Sequence, residues 1–248
     1  MMIFYCGIFN VKMAERIPRT FISINRLRDR RSDFIVGDWI LDSGAFTEIM
    51  TFGEFRHDEV QYAHEIERWS KCGNMELAVS QDYMTEDSAL ARTGKTIIEH
   101  QKLTVGRFLR LRSLIDFPIM PILQGQTAED YVRHLGMYGI EIEEGARVGV
   151  GSVCRRNRNV KVIRDILAAI MNERPDLKLH GFGLKTTALE DAYTSSLLYS
   201  ADSMAWSYAA RREGRNRNGV EEALAFSQKI NDRSGRKASQ LQLPIVST

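Results

Sequence analysis

A short apolar run followed by a stretch of helical periodicity recurs along this chain, and that alternation restricts the fold to parallel α/β architectures. The runs fall at 3–6, 39–41, 77–79, 119–123, 148–150, 177–182 and 199–204. Short, largely apolar and flanked by helical stretches, they read as buried parallel strands. Between them, 58–71 carries Val60, Ala63, Ile66 and Trp69 at helical spacing, and 160–171 puts Ile163, Ile166, Leu167 and Ile170 on one face behind an Asn159 N-cap. Thr127 and Asp130 form a capping box for a helix through Leu135. The stretch 95–114 predicts the longest helix, with Gly106 as a point of interruption, and 220–230 carries Leu224, Phe226 and Ile230. Seven such strands fit either a doubly wound sheet or a (β/α)8 barrel. In a barrel the run 241–246 would supply an irregular closing strand, since Pro244 cannot donate to a ladder. With no linker, repeat or compositional break, 1–248 reads as a single domain, a length that one α/β barrel can fill.

Composition removes several classes. At 44% hydrophobic and 27% charged residues the chain is neither disordered nor collagen-like. No apolar run approaches the ~18–20 residues that cross a bilayer, and the start lacks the basic region of a signal peptide. Cys6, Cys72 and Cys154 lie far apart with no CxxC pair, against a disulfide scaffold or a cysteine-rich zinc site. These features read as a cytoplasmic protein with free thiols, in a host cytoplasm if the source is viral. Net charge is only +2, but arginines cluster at Arg26, Arg28, Arg30 and Arg31, at Arg155, Arg156 and Arg158, and at Arg211, Arg212, Arg215 and Arg217. The guanidinium fork suits phosphate; a solvated face accounts for any single cluster equally well.

The residues just beyond each strand are more informative. The run 39–41 ends in Asp42-Ser43-Gly44-Ala45-Phe46, and 77–79 leads into Ser80-Gln81-Asp82-Tyr83. The run 119–123 ends in Gln124-Gly125-Gln126, 148–150 in Gly151-Ser152, 177–182 in Gly183-Leu184-Lys185, and 199–204 contains Asp202. An aspartate after a strand is often only a helix cap, and a glycine there only a turn. Collected at the C-terminal ends of successive parallel strands, however, these groups stand where ligands bind in both architectures. Gly149-Val150-Gly151 is not a dinucleotide fingerprint, because the third glycine and the following acidic residue are missing. The set suits a planar, multiply hydrogen-bonded ligand with a reacting carbon beside it.

At these residues the sequence resembles the tRNA-guanine transglycosylase superfamily, barrel enzymes that exchange guanine for a 7-deazaguanine. Asp42-Ser43-Gly44-Ala45-Phe46 is similar to its D-S-G-G-F-Q, with alanine for the second glycine and Thr47 for the glutamine. Leu123-Gln124-Gly125-Gln126 resembles V-Q-G-G, the segment from Val148 to Val153 resembles G-G-L-A-V-G, and Gly181-Phe182-Gly183 resembles G-V-G. Ala201-Asp202-Ser203-Met204, followed by the arginine-rich stretch from Arg211 to Gly219, resembles F-D-C-V followed by T-R-N-G-R-N-G. The matches keep family order over about 38–220. The family's zinc motif is missing, since no cysteine follows Cys154, and so is the helical region around it. That departure points to the DNA 7-deazaguanine transglycosylase branch, in its compact form.

The resemblance implies a (β/α)8 TIM-type barrel, with Asp202 as nucleophile and Asp42 as acid/base. Asp82 would accept from guanine N1–H and N2–H, Gln124 would read O6 and N7, and a backbone N–H at Gly151 or Ser152 would hold O6. Tyr83 and Phe46 are candidate stacking faces, with Met204 or Met84 beneath the base; core packing is the competing account of all four. Arg155, Arg156, Arg158, Arg211, Arg212, Arg215 and Arg217 would contact the phosphates of DNA whose target base is flipped out. Guanine and a 7-deazaguanine base would be the small-molecule substrates, with no cofactor and no metal. His57, His64, His100, His134 and His180 show no ligand spacing, and His180 reads as a core histidine. Alternatives left open are tRNA as the polymer with the same chemistry, a catalytically silent nucleic-acid-binding partner subunit, and a barrel glycoside hydrolase. A homodimer or a partner subunit is compatible with the sequence.

Overall fold

The computed structural model describes residues 2–153 and 159–240, with side chains through Asp232. Its strands are β1 (Ile3–Ile8), β2 (Arg19–Ser23), β3 (Asp38–Asp42), β4 (Asn74–Val79), β5 (Ile119–Met120), β6 (Ile122–Leu123), β7 (Arg147–Val150), β8 (Lys178–Gly181) and β9 (Ser200–Ser203). They pair in the order β5-β4-β3-β2-β1-β9-β8-β7-β6, and every pairing is parallel. β5 and β6 are two halves of one run around Pro121. The first half pairs with β4 (Val79 with Met120) and the second with β7 (Ile122 with Gly149), so the sheet curls round to a nearly closed barrel of eight staves with a seam at the proline. Proline has no N–H to give the ladder, but its carbonyl accepts from Gly149 N–H at 2.9 Å, and the seam stays hydrogen-bonded on one side.

Two expectations are corrected by this architecture. The eighth stave is β2; the run 241–246 lies outside the described residues. β2 escaped notice because its flanking crossovers carry only 3-10 turns (Val11–Glu15 and Ile24–Arg26) instead of α-helices. The longest helix described is α10 (Val220–Gln240, 21 residues), not the one spanning Gly106. The remaining helices are α1 (Ala45–Phe52), α2 (Glu59–Trp69), α3 (Asp87–Thr93), α4 (Ile97–Arg112), α5 (Ala128–Tyr138), α6 (Val160–Glu173), α7 (Thr186–Leu189), α8 (Ala192–Leu197) and α9 (Ala205–Arg212). α4 opens on a Thr96–Glu99 capping box and runs unbroken through Gly106, and the Thr127–Asp130 box opens α5. No helix among the described residues is long and apolar enough to cross a membrane.

The core divides as a barrel requires. Tyr5, Phe21, Ile40, Val79, Met120 and Ile122 form an inner cluster drawn from β1 to β6. Trp39, Leu41, Ile66, Leu123, Ile163 and Ile166 belong to the larger cluster between strands and helices. Towards the N-terminal ends, Tyr5 donates its hydroxyl to Glu76 (2.7 Å), and Arg147 reaches the same carboxylate at 3.2 Å. These groups fill the lower interior, below the C-terminal mouth.

Candidate active site

A cavity of about 380 Å³ opens at that mouth, and Asp42, Asp82, Gln124, Gly151, Ser152 and Asp202 all line it. Phe46, Met84 and Met204 line it as well, above a floor that includes Phe21, Val79 and Phe182. Strand parity is the local cause: Asp42 and Asp202 lie two residues beyond Ile40 and Ser200, on the inward side of β3 and β9.

Asp42 ends β3 and is half-buried. Gly44, at φ +75°, turns the chain sharply into α1, which lets its N–H come back to Asp42 Oδ2 at 3.1 Å. A side chain at Gly44 would collide with Asn25, whose amide donates to the Gly44 carbonyl at 3.3 Å. Burial and the Asp202 carboxylate push Asp42 up to about 6, against the hydrogen bonds from Gly44, Ser23 and Ser43.

Asp82 is more deeply enclosed. Burial, opposed by the donated Gln124 amide and reinforced by the charges of Asp42 and Glu86, raises it to about 7. Gln124 is held from several sides. Its Nε2 donates to Asp82 Oδ2 and its Oε1 accepts from Ser152 Oγ at 2.6 Å. Its backbone N–H donates to His134 Nδ1 at 2.8 Å and its carbonyl accepts from Gln101 at 2.6 Å. Burial lowers His134 to about 4, which suits an acceptor nitrogen. Ser152 adopts φ +58°, the one described non-glycine residue at positive φ, and strain of this kind gathers at ligand sites. Gly151 leaves no room for a side chain, since a Cβ there would overlap the Gln124 amide.

Asp202 is 6% exposed, and among the described residues its hydrogen bonds fall on one oxygen: Oδ1 accepts from Gly183 N–H at 3.0 Å and from His180 Nε2 at 3.3 Å. His180 is fully buried, its ring stacked on Phe21 at 5.6 Å and its Nδ1 2.9 Å from Ser200 Oγ. It packs in the core as expected, but it also touches Asp202, which the residue pattern did not foretell. The signal was available, because His180 and Phe182, two residues apart at the end of β8, share inward parity. Glu86 was missed as well. It lines the cavity, and its Oε2 is buried without a hydrogen-bond partner among the described residues.

Other candidates fall elsewhere. Tyr83 is not among the cavity residues; its ring meets Phe55 and His100 edge-on in a satellite cluster. Phe46 stands 55% exposed on the rim. Arg155, Arg156 and Arg158 lie outside the described residues. Arg211, Arg212, Arg215 and Arg217 are exposed, and Ser207 ties their loop to the first turn of α9 by donating to the Arg217 carbonyl at 3.0 Å. Arg215 is engaged by Glu213 and Glu222.

A parallel eight-stave barrel with its polar groups gathered at the C-terminal mouth defines a (β/α)8 protein carrying its ligand site where that fold places one. More specifically, the chain belongs to the DpdA family, DeoxyPurine in DNA protein A, whose family model matches residues 7–232. The matched span contains every cavity carboxylate, and membership makes this a transglycosylase-like protein of DNA modification. No curated protein matches the chain.

Proposed function

We propose that this protein exchanges guanine in DNA for a 7-deazaguanine base through a covalent intermediate on Asp202. The observation that carries the reading is the convergence of Asp202, Asp42, Asp82 and Gln124 on one cavity, of a volume within the small-ligand range. Family membership supports DNA as the polymer.

In the first step Asp202 Oδ2, the oxygen left without the Gly183 and His180 contacts, attacks the anomeric carbon. The glycosidic C–N bond breaks, and the departing guanine takes its electron pair together with a proton from Asp42. In the second step the incoming base gives its N9 proton to the Asp42 carboxylate, N9 bonds to the anomeric carbon, and Asp202 leaves. A carboxyl near 6 supplies both forms close to neutrality. Asp82 in its ionised form accepts from N1–H and N2–H, which adenine cannot offer, and the second N–H of the Gln124 amide serves O6 or N7. The exposed Phe46 supports a stacking role at the rim. Arg211, Arg212 and Arg217 are the phosphate contacts we favour among the described arginines.

The test is incorporation of radiolabelled guanine into duplex DNA and into tRNA in parallel, with Asp202→Ala as control. Label in DNA that vanishes in the variant is expected. Label in tRNA alone overturns the substrate, and full exchange by Asp202→Ala overturns the nucleophile.

A further inference from the structure

A second cavity, of about 610 Å³, adjoins the first and shares Asp42, Phe46 and Met204 with it. Asn25, Arg26, Arg28, Asp29, Arg56 and His57 line it too, so half of the N-terminal arginine cluster, unused by the reaction above, shares a cavity with Asp42. Arg56 is already engaged, forking onto the buried Glu48 at 2.8 and 3.0 Å. Glu65 is occupied by the Trp69 indole at 2.8 Å.

Arg28 differs. Its Nε donates to Asn25 Oδ1 at 3.0 Å, which fixes the plane of the guanidinium, while Nη1 and Nη2 are buried with no hydrogen-bond partner among the described residues. The Nδ1 of His57 is likewise buried and unpartnered. Glu48 and Glu65 act on Arg28 through charge, but neither hydrogen-bonds it. Leaving buried donors unsatisfied costs roughly 1–3 kcal/mol, more for a charged group, and such sites persist where a ligand completes them. Two parallel N–H groups on a rigid fork match the two non-bridging oxygens of a phosphodiester.

We propose that this second cavity is a phosphodiester subsite, in which Arg28, assisted by His57, holds a phosphate flanking the flipped nucleotide. The proposal rests on reading the first cavity as the base site. With the base there and the sugar between Asp42 and Asp202, the chain leaves across the shared wall of Asp42, Phe46 and Met204. Asn25 couples the two places, since it orients Arg28 and holds the Gly44 carbonyl beside Asp42.

The experiment uses a duplex containing a single guanine, with neutral methylphosphonate linkages placed one at a time at the two phosphates on either side of it. Exchange and equilibrium binding are measured for the wild type, Arg28→Gln and Arg28→Lys. We expect one position to lower wild-type kcat/KM about tenfold or more. Arg28→Gln should lose a similar factor on unmodified DNA and then become indifferent to that linkage, with Arg28→Lys between. A wild type that tolerates all four linkages, or an Arg28→Gln protein that keeps the wild-type pattern, overturns the subsite. Should Arg28→Gln fail to fold, Arg28→Lys and the wild-type scan still decide. Binding by fluorescence anisotropy separates the two readings. A position-specific, Arg28-dependent loss of binding without any exchange supports the subsite and refutes the exchange reaction; unselective binding overturns the subsite.

Discussion

Replacing Asp82 with asparagine should make the protein more stable, and only at higher pH. Asp82 is buried, and that burial, with the charges of Asp42 and Glu86, lifts its carboxyl from the ordinary 3.8 to about 7. Below pH 3.8 the group is protonated in both folded and unfolded chains, and its environment makes no difference. Between 3.8 and 7 the unfolded chain releases a proton that the folded chain keeps. Each pH unit in that window removes about 1.4 kcal/mol of stability, and the loss levels off near ~4 kcal/mol above about pH 7. Asparagine has the same shape, carries no charge and can still accept from Gln124 through its Oδ1. Allowing half of the electrostatic penalty to be relieved by water entering the cavity, the variant should gain roughly 2–4 kcal/mol at about pH 8, or roughly 4–16 °C in Tm for a chain of this size. Thermal unfolding of both proteins followed by circular dichroism from about pH 4 to about pH 9 measures this. The two melting temperatures should coincide near pH 4, separate progressively as pH rises towards about 7, and keep a constant gap above it. Equal melting at high pH, or a difference that does not change with pH, would refute the assignment of strain to a buried, near-neutral carboxyl.

The same electrostatics govern ligand binding. In the proposed site guanine binds the ionised form of Asp82, so affinity for the free base measured by calorimetry should fall about tenfold per pH unit below about 7. Asp42→Asn, which removes one charge that raises Asp82, should move that limb to lower pH. Gly151→Ala drives a methyl group into the Gln124 amide, so base KM should rise about tenfold or more in a protein with near-normal far-UV circular dichroism. Phe21→Ala opens a hole under the cavity floor, within the inner cluster, and should cost roughly 3–5 kcal/mol by urea denaturation.

The alternation of strand and helix was enough to expect a parallel α/β fold, and the resemblance singled out the barrel, but neither counted its staves. Thr20-Phe21-Ile22 is a short buried strand between Arg19 and Ser23, and with no α-helix before or after it the repeating pattern skips it. Pro121 posed the opposite problem, since a continuous apolar run concealed a break that only strand pairing reveals. Asp42, Asp82, Gln124, Gly151, Ser152 and Asp202 were legible because each lies at or just beyond a strand's end, and the strand ends of a parallel barrel meet at one mouth. Tyr83 follows a strand too, yet it points away from the cavity into the α1–α3 side, where Ala45, Ile49 and Ala89 receive it. His180 and Glu86 were hidden for a related reason. Whether a buried polar residue faces the lumen depends on parity and on the path of the loop, and composition carries neither.

The environments of the two aspartates also argue for the division of labour in the proposed reaction. Among the described residues Asp202 takes its hydrogen bonds on Oδ1, from a backbone N–H and an imidazole, which fixes the carboxylate and keeps those donors off Oδ2. A nucleophile profits from that arrangement, because the attacking atom is positioned before the substrate arrives and no hydrogen bond has to break. Asp42 is only half-buried, sits beside the Asp202 charge and is pushed up to about 6, so it gains and loses a proton readily. Exchanging the roles would ask the readily protonated carboxyl to attack and the fixed one to shuttle protons. Ionisation of Asp202 also raises Asp42, so the charge needed for attack helps to keep its neighbour in the acid form that the leaving guanine requires. When the Asp202 carboxylate becomes an ester its charge disappears, Asp42 loses that support, and its ionised form, the base needed by the incoming 7-deazaguanine, is favoured for the second step.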